Sequence, residues 1–533
     1  LLVSAHRYLK KYTENGWLAA GASLLYALSP VAIAAVNSGR LGLLVLLISL
    51  PFLIRQLQHW VEIEKWGWRG IYRHSLFIGI LLLFNPSILL ILLVSTSALL
   101  LSDYQKSGNN SKDPLFIQRA IRRGVLFFIP LALAAPNSLG LLRHPTRLFL
   151  EIGLTIPGGG PNLAFLGNPG GPGSLPWWSI SPITAILFIA FFSTTAARRF
   201  ALLGIVFLLA GTLASAVVVP GSGSTLSARV FPGVFLSIAT LFSITSGIVM
   251  FDKISARLQQ SHLNYRHISV AAVIILTLAY SATSISWLIS AGSDSPLRAG
   301  STKVLPAYLA VEKSGKTLVL RPYSDGGQKS ISYYISRGSD ATLGDSDVAP
   351  ENSAIISWAV EGLIDNTGVT SSDVFATYGI KYVFLKRPIV DEVVQTIDGL
   401  GGFIRTSATK AGIVWKVSAP TGKLIFTDYS GAISILESKG TKAKVPEPGT
   451  VTITENFSNG WRIYQDGFKS ARIQDANGLP TFEVTGSGEI TVFHDGKIRR
   501  AWISFFLIVL VTVIVLALPA GRRKREISEK VLA

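Results

Sequence analysis

The sequence contains no cysteine, a single methionine and few charged residues for its length. Without cysteine the chain has no disulfide bond, no thiol nucleophile and no cysteine-bound zinc. Charged residues make up 15% of the 533 positions, whereas about a quarter of a soluble domain is charged. The one methionine is Met250, so the chain starts at Leu1 without an initiator residue. We therefore expect it to be part of a longer protein.

The motifs of common soluble enzymes are also missing. The sequence has no HExxH zinc motif, no phosphate-binding loop ending in GK[ST], and no G-x-S-x-G elbow between a strand and a helix. Metal-dependent hydrolysis and serine-triad chemistry are therefore not expected. The net charge of +18 does not predict nucleic-acid binding. Lysine and arginine cluster at the ends of apolar runs instead of forming a stripe with aromatic residues.

Apolar runs dominate the sequence, since 49% of its residues are hydrophobic. These runs alternate with polar stretches, as membrane-spanning helices alternate with loops. We therefore predict a polytopic α-helical membrane protein with about ten spans. The predicted spans are 17–37, 41–54, 75–85, 87–102, 124–136, 179–196, 200–219, 230–250, 268–290 and 501–519.

Basic clusters predict the orientation of these spans, because cytoplasmic loops carry an excess of lysine and arginine. The strongest cluster, at 522–525, follows the last span directly. We therefore expect a multi-pass protein of the plasma membrane with a cytoplasmic C-terminus. Loop 137–178, loop 220–229 and the whole segment 291–498 then lie on the extracytoplasmic side.

Two segments leave alternatives open. The run 75–102 is interrupted by Asn85-Pro86, so it forms either two short helices around that break or one long tilted helix. The segment 56–73 alternates tryptophan with charged residues. It suits an amphipathic stretch in the cytoplasmic interface, or else its tryptophans form a belt at a helix end.

The outer segment is predicted to form two domains. They lie between the membrane domain, 1–290, and the last span with its basic tail, 499–533. Residues 291–419 mix short apolar strands with a helical pattern, which predicts an α/β subdomain. Residues 420–498 contain only short alternating strands with glycine, asparagine and aspartate turns. That pattern is typical of a small β-sandwich.

Loop 137–178 holds the candidate catalytic residue. Glu151 is the only acidic residue in the short external loops, so we predict a base that deprotonates a sugar hydroxyl, or a ligand of a divalent metal ion. Arg143 and Arg147 are nearby and are suited to hold a phosphate by paired hydrogen bonds. The alternative is that Glu151 only pairs with Arg147, one helical turn back. No cofactor is otherwise indicated.

Four further residues are candidates for substrate binding. Arg40 and Arg229 would lie at the outer surface, where a cation can meet a lipid head group, or else simply snorkel. Trp461 and Tyr464 could stack on sugar rings, or else be core aromatics of the sandwich. The glycine-rich stretch 158–173 predicts a flexible loop that closes on substrate.

Three stretches resemble the membrane half of large actinobacterial envelope glycosyltransferases, in which a family-2 glycosyltransferase domain often precedes the spans. They are Leu25–Gly42, Tyr378–Leu385 with Ile413–Val417, and Glu455–Gly467. The last two also resemble the outer domains of mycobacterial-wall arabinofuranosyltransferases and YfhO-type membrane proteins. The resemblance implies the GT-C architecture, with an active site at the outer face and a polyprenyl-phosphate sugar donor. The first external turn departs from that pattern, because it carries no carboxylate.

We therefore expect the membrane module of a cell-envelope glycosyltransferase. It would transfer or handle sugars from a polyprenyl-phosphate or nucleotide-sugar donor, for a wall polysaccharide or glycolipid. The partners implied are membrane lipid, polyprenyl-phosphate sugar, envelope glycan and a fused upstream glycosyltransferase domain. Two alternatives are a non-catalytic scaffold or glycan-binding protein of polysaccharide assembly, which the sparse external carboxylates favour, and a lipid-linked-sugar translocator.

Overall fold

The chain divides into two compact units in the computed structural model. The first unit comprises Leu1–Val218, Arg229–Leu297 and Arg499–Ala533, and the second comprises Val219–Ala228 and Arg298–Ile498. The structure describes residues 1–135, 138, 141, 145–149, 159–171, 181–219, 228–258, 265–292, 306–311, 315–325, 328–336, 353–364, 367, 370–387, 389–455, 459–473 and 478–518.

The first unit is built from helices. In its N-terminal part these are α1 Leu2–Leu9, α2 Gly16–Ala27, α3 Pro30–Asn37, α4 Leu41–Arg55, α5 Leu57–Val61, α6 Trp68–Phe84, α7 Ile88–Lys106 and α8 Pro114–Leu133. The later helices are Pro161–Phe165, Ser181–Phe191, Thr195–Ala216, Gly233–Leu258, Tyr265–Gly292 and Lys497–Ala517. Short 3-10 helices lie at Ile63–Lys65 and Pro145–Phe149, and two-residue strands lie at β1 Val218–Val219 and β2 Ala228–Arg229.

Several of these helices mark a membrane-embedded protein. Five among the described residues are long and apolar enough to cross a bilayer. They are α2 together with α3 (Gly16–Asn37), Ile88–Lys106, Thr195–Ala216, Gly233–Asp252 and Lys497–Ala517. Helices also lie at the other predicted positions, but the number of ten spans and the orientation stay predictions.

The run 75–102 forms two helices, so the alternative of one long tilted helix is wrong. α6 ends at Phe84 and α7 begins at Ile88, on either side of the Asn85-Pro86 step. Proline disfavours the helical conformation of the residue before it, which explains the break. Asn85 is buried, and its side-chain amide donates a hydrogen bond to the Gly42 carbonyl oxygen at 2.8 Å. The break is thereby fixed to the start of α4.

The basic residues at 119–123 belong to α8, which begins at Pro114, ahead of the predicted span start at 124. Arg122 is buried, and its Nη1 donates to the backbone carbonyl oxygens of Ile63, Glu64 and Trp66 at 2.7, 2.7 and 2.8 Å. Ile63 and Glu64 lie in the 3-10 helix Ile63–Lys65, and Trp66 follows it. So short a helix leaves most of its carbonyl oxygens free to accept from a side chain. The buried Arg122 side chain therefore attaches the segment 56–73 to α8.

Arg123 completes the same attachment. Its Nε donates to Asp103 Oδ2 at 2.6 Å, and its Nη1 donates to the Trp60 carbonyl oxygen at 2.8 Å. Arg119 forms a two-point contact with the Glu64 carboxylate at 3.2 and 3.3 Å. Burial alone would raise the pKa of Glu64, but its backbone hydrogen bond and Arg119 hold the pKa below its ordinary value. Charges that sequence reasoning assigned to topology therefore also hold α7, α8 and the 56–67 segment together.

The second unit contains a mixed five-stranded sheet in the order β4-β3-β5-β7-β6. Its strands are β3 Lys316–Asp325, β4 Gln328–Ser336, β5 Ile380–Lys386, β6 Phe403–Thr409 and β7 Gly412–Val417. β3 and β5 are parallel, and the other neighbours are antiparallel. Alternate residues of β3 point to opposite faces of the sheet and belong to two different cores. Leu318 and Leu320 pack with the helices Ser353–Ile364, Ser371–Thr377 and Asp391–Gly399. Val319, on the other face, packs with Leu309 of the helix Ala307–Val311.

A β-sandwich follows in the same unit. Its strands are β8 Leu424–Asp428, β9 Ile433–Ile435, β10 Ser438–Lys439, β11 Lys442–Val445, β12 Gly449–Ile453, β13 Trp461–Gln465, β14 Phe468–Lys469, β15 Arg472–Ile473, β16 Thr481–Val484 and β17 Gly488–His494. One sheet has the order β10-β11-β17-β13-β14 and the other β15-β16-β12-β8-β9. Their inner faces share one core, in which Ile463 and Ile490 meet Phe426 and Phe482. The strands predicted from alternating residues are confirmed.

Candidate functional site

The turn between α3 and α4 fixes the backbone of Arg40. The Arg40 N–H donates to the Ala35 carbonyl oxygen at 2.8 Å, and the Gly39 N–H donates to the Val36 carbonyl oxygen at 3.1 Å. These nested bonds form a Schellman cap, which needs a residue with positive φ at its centre. Gly39 supplies it with φ of 68°. The Ser38-Gly39-Arg40 sequence therefore closes α3 and points the chain into α4.

Arg40 is buried among polar groups at this turn. Its side chain is 5% exposed, and its guanidinium carbon lies 3.5 Å from the centre of the Phe231 ring. Asn37 and Ser38 are fully buried beside it. Asn37 Oδ1 and Ser38 Oγ find no hydrogen-bond partner among the residues that the structure describes. Buried polar atoms of this kind are usually paired, so the turn has hydrogen-bonding capacity to spare for a ligand.

The glycine-rich loop forms a compact turn over its described part, 159–171. The Gly159 N–H donates to the Pro169 carbonyl oxygen at 2.9 Å, which closes the loop around the short helix Pro161–Phe165. Asn168 is fully buried, and its side-chain oxygen accepts from the Gly170 N–H at 2.9 Å. This part of the predicted lid is therefore held by its own hydrogen bonds.

Two glycines bring the loop against the predicted arginine residues. A Cβ on Gly171 would lie 3.0 Å from Ser38 Oγ, and a Cβ on Gly160 would lie 2.7 Å from Arg229 Nη1. Both glycines have positive φ, of 134° and 83°. Loop 159–171 therefore touches the α3–α4 turn at one end and the Arg229 guanidinium at the other.

These contacts assemble one site from three distant parts of the sequence. We call it the hairpin site and define it as Asn37, Ser38, Arg40, Asn168, Arg229 and Phe231. Arg229 precedes Phe231 by two positions, so the residues that contact Gly160 and Arg40 lie on one short stretch of chain. The structure thus brings two of the predicted substrate-binding residues, Arg40 and Arg229, to the same place.

The other predicted residues of loop 137–178 are described only in part. Glu151 and Arg143 lie outside the described residues, and of Arg147 only the backbone, in the turn Pro145–Phe149, is described. That turn is attached near the α6–α7 break, because Ser87 Oγ donates to the Leu148 carbonyl oxygen at 2.8 Å. The break is in turn bonded to Gly42, two residues from Arg40.

The hairpin site is suited to bind an anion. Guanidinium groups stay charged at any physiological pH and present several N–H donors in a planar fork. Arg40 is additionally held in orientation by the face of Phe231, a cation–π contact. The other described side chains of the site are amides, a hydroxyl and an aromatic ring, so none of them is a base at neutral pH.

Metal ligation finds no support in the described part of the chain. There, no group of three or more histidine, aspartate or glutamate side chains lies close enough together to hold a metal ion. A metal bound through Glu151 stays a prediction.

Trp461 and Tyr464 lie on β13 of the sandwich and face opposite ways. Trp461 packs against the sandwich core and meets His494 edge-on at 5.0 Å between ring centres. Tyr464 stacks on Phe493 at 5.5 Å with the rings 17° from parallel. Both residues are partly exposed, and of the two only Tyr464 is stacked parallel to its aromatic neighbour.

Sequence reasoning missed two groups of charged residues. Asp103 ends an apolar run and pairs with Arg123 twenty positions later, which only the packing of α7 on α8 brings about. Arg462, Lys469 and Arg472 line one cavity of the sandwich. Their shared position on short neighbouring strands was the only available signal.

Comparison with known proteins adds no relative. No protein family, no curated protein and no solved structure matches this chain. The site itself is therefore the basis for a proposed function.

Proposed function

We propose that the chain is the membrane module of a cell-envelope glycosyltransferase, and that the hairpin site holds the phosphate of a polyprenyl-phosphate sugar. The observation that carries the proposal is Arg40, a permanent charge that is 5% exposed in a unit of apolar helices. Charged side chains inside membrane proteins are costly and mark ligand or ion sites. A lipid phosphate is the anion that such a unit can receive from its surroundings.

Two buried polar atoms beside Arg40 support this reading. Asn37 Oδ1 and Ser38 Oγ have no hydrogen-bond partner in the described part of the chain, and both residues are fully buried. A phosphate placed there would accept from Arg40 and Ser38 together.

The described turn that precedes the candidate base in the sequence is Pro145–Phe149. Leu148 is bonded to Ser87 beside the α6–α7 break, and Asn85 of that break is bonded to Gly42. We propose that Glu151 deprotonates the acceptor hydroxyl while the arginines hold the donor phosphate.

Binding and transfer are tested separately. The full chain in nanodiscs of neutral lipid is titrated with farnesyl phosphate as the probe, and with farnesol as the uncharged control. Arg40→Gln removes charge-assisted hydrogen bonds and should weaken farnesyl phosphate binding by about tenfold or more. Arg69→Gln, a change of the same charge at an exposed position of α6, should leave binding unchanged.

Glu151→Gln then separates an enzyme from a binding module. If Glu151 is the base, this change should lower sugar transfer by roughly 100-fold and leave farnesyl phosphate binding intact. Unchanged sugar transfer would show that Glu151 is not the catalytic base. If Arg40→Gln also leaves phosphate binding unchanged, the proposal for the hairpin site is wrong.

A non-catalytic scaffold is the second candidate. The observation in its favour is that the described side chains of the hairpin site include no base. Such a protein would bind farnesyl phosphate with the same dependence on Arg40, yet show no transfer in either wild type or Glu151→Gln.

A further inference from the structure

The β-sandwich contains a basic cavity at the corner where the chain crosses from one sheet to the other. The cavity has a volume of about 480 Å³ and is lined by Asn459, Arg462, Lys469, Arg472 and Phe482, among others. β14 and β15 are the edge strands of their sheets, and only Ser470 and Ala471 lie between them. Because edge strands are not covered by a neighbour, the cavity opens at the rim of the sandwich.

Three cationic side chains converge on this cavity from both sheets. Arg462 comes from β13 and Lys469 from β14, whereas Arg472 comes from β15. The described residues that line the cavity include no aspartate or glutamate. Burial, and then the charge of Arg462, lower the pKa of Arg472 from its ordinary value, although an arginine stays charged at neutral pH.

Asn459 and the ring of Phe482 fix the two arginines. Arg462 Nη1 donates to the Asn459 carbonyl oxygen at 2.5 Å, and Arg472 Nη1 donates to Asn459 Oδ1 at 3.4 Å. The guanidinium carbon of Arg472 lies 5.8 Å from the centre of the buried Phe482 ring. A preorganised pair of guanidinium groups binds a carboxylate or phosphate with less loss of side-chain entropy.

An aromatic pair lies on the same sheet as Arg462 and Lys469. Tyr464 stacks on Phe493, and the β-ladder places Tyr464 opposite Lys469 and Phe493 opposite Arg462. Residues directly opposite each other in antiparallel strands share one face of the sheet. The cations of the cavity and a stacked aromatic surface are therefore neighbours, and a sugar ring can rest its C–H face on the aromatic surface.

We propose that the basic cavity binds an acidic glycan, with its carboxylate or phosphate between Arg462, Lys469 and Arg472 and a neighbouring sugar ring on Tyr464 and Phe493. The site lies in the second unit and does not depend on the function proposed for the hairpin site. The cations supply affinity for the acid group, and the aromatic pair selects a glycan over a free anion.

The test uses the full chain in nanodiscs of neutral lipid, with oligogalacturonate as the acidic probe. Neutral galacto-oligosaccharide of the same length and inorganic phosphate serve as reference ligands. We expect oligogalacturonate to bind at least about tenfold more tightly than either reference. Lys469→Gln should weaken that binding by about tenfold. Lys444→Gln, the same charge change at an exposed position of the same sheet, should not weaken it.

The aromatic part is tested by Tyr464→Ala, which should weaken oligogalacturonate binding and leave phosphate binding as it is. Thermal unfolding of each variant shows whether the sandwich still folds. Equal losses for Lys469→Gln and Lys444→Gln would mean non-specific attraction and overturn the proposal. If the neutral oligosaccharide binds as tightly as oligogalacturonate, the cavity does not recognise an acid group. If inorganic phosphate binds as tightly as oligogalacturonate, the site does not recognise a glycan.

Discussion

Arg123 and Asp103 form a buried ion pair that joins α8 to α7. Both side chains are 2% exposed, and Arg123 Nε lies 2.6 Å from Asp103 Oδ2. A buried ion pair of this kind adds little net stability against an apolar pair, but the loss of one partner leaves a buried charge alone. The consequence for stability therefore depends on whether one or both residues change.

Arg123→Met should lower the free energy of unfolding by about 3–5 kcal/mol, because it leaves the Asp103 carboxylate buried without its closest partner. The measurement is equilibrium unfolding of the full chain in detergent. Arg123→Met with Asp103→Leu should be less destabilised than Arg123→Met alone. If the two changes instead add their separate losses, the pair is not coupled as the structure indicates.

Lys316 supports the second unit in a comparable way. It is almost fully buried at the start of β3, its Nζ donates to the Thr454 carbonyl oxygen at 2.5 Å, and the Glu455 carboxylate lies 4.0 Å away. The contact joins the mixed sheet to the sandwich, since Thr454 follows β12.

Lys316→Met should cost about 1.5–3 kcal/mol locally, because a hydrogen bond from a charged donor is lost and its acceptor stays buried. The expected signature is faster amide hydrogen exchange around Thr454 and Gly422, whose carbonyl oxygen accepts from Thr454 Oγ1 at 3.0 Å. Lys444→Met, at an exposed position of β11, should change exchange there little. Equal exchange in both variants would show that Lys316 does not hold this junction.

At the scale of single residues, the sequence predicted positions better than partners. Arg40 could be placed at a turn because Ser38-Gly39-Arg40 interrupts two apolar runs, and the structure has it there. Its contact with Phe231 could not be predicted, because the two residues are 191 positions apart and meet only when α3 packs against the chain before the helix Gly233–Leu258. Local patterns specify turns, whereas partners across long separations depend on packing.

Among the helices, the contact of α4 with the end of α6 depends on one glycine. A Cβ on Gly42 would lie 2.7 Å from the Phe84 carbonyl oxygen, and the Gly42 carbonyl accepts the Asn85 side-chain bond. Real Cβ atoms do not approach a backbone oxygen this closely, so the two helix ends would have to move apart.

Gly42→Ala should therefore lower the midpoint of thermal unfolding, with a loss of about 1–3 kcal/mol from overpacking. Gly124→Ala is the matched control. It lies in the middle of α8, where a Cβ would meet only the Phe128 ring at 3.9 Å. Alanine is the better helix former by about 1 kcal/mol, so this variant should be as stable as wild type or more so. A Gly42→Ala protein as stable as the control would mean that α4 and α6 are not in contact here.

Strands and helix ends could be predicted from the sequence where neighbouring residues alone determine them. Alternating residues predicted β12, β13, β16 and β17, because a strand with one buried face has period two. The break at Asn85-Pro86 followed from proline sterics. The start of α8 did not follow. Its first three turns carry Arg119, Arg122 and Arg123, which meet Glu64, Asp103 and buried carbonyl oxygens.

For the whole molecule, composition predicted a membrane-embedded protein with a large folded segment, and the described helices and sheets agree with that coarse division. The number of spans depends on helix length and tilt, which hydropathy alone does not settle. The orientation depends on the positive-inside rule, which concerns charges outside the bilayer. The buried positions of Arg122 and Arg123 remove two of the charges on which that rule was applied here.

The orientation is tested by labelling single cysteines, which is clean here because the chain has no cysteine of its own. Ser111 lies exposed in the turn between α7 and α8, and Ser434 lies exposed on β9 of the sandwich. Our orientation places Ser111 in the cytoplasm and Ser434 outside, because the basic cluster at 522–525 predicts a cytoplasmic C-terminus, and the predicted spans then fix the side of each loop. An impermeant thiol reagent added to intact cells should therefore modify Ser434→Cys, and should modify Ser111→Cys only after permeabilisation.

The reverse pattern would invert the protein and place the sandwich with its basic cavity in the cytoplasm, away from any envelope glycan. Labelling of both residues in intact cells would mean that α7 and α8 are threaded differently, with an odd number of crossings lost between Ser111 and Ser434.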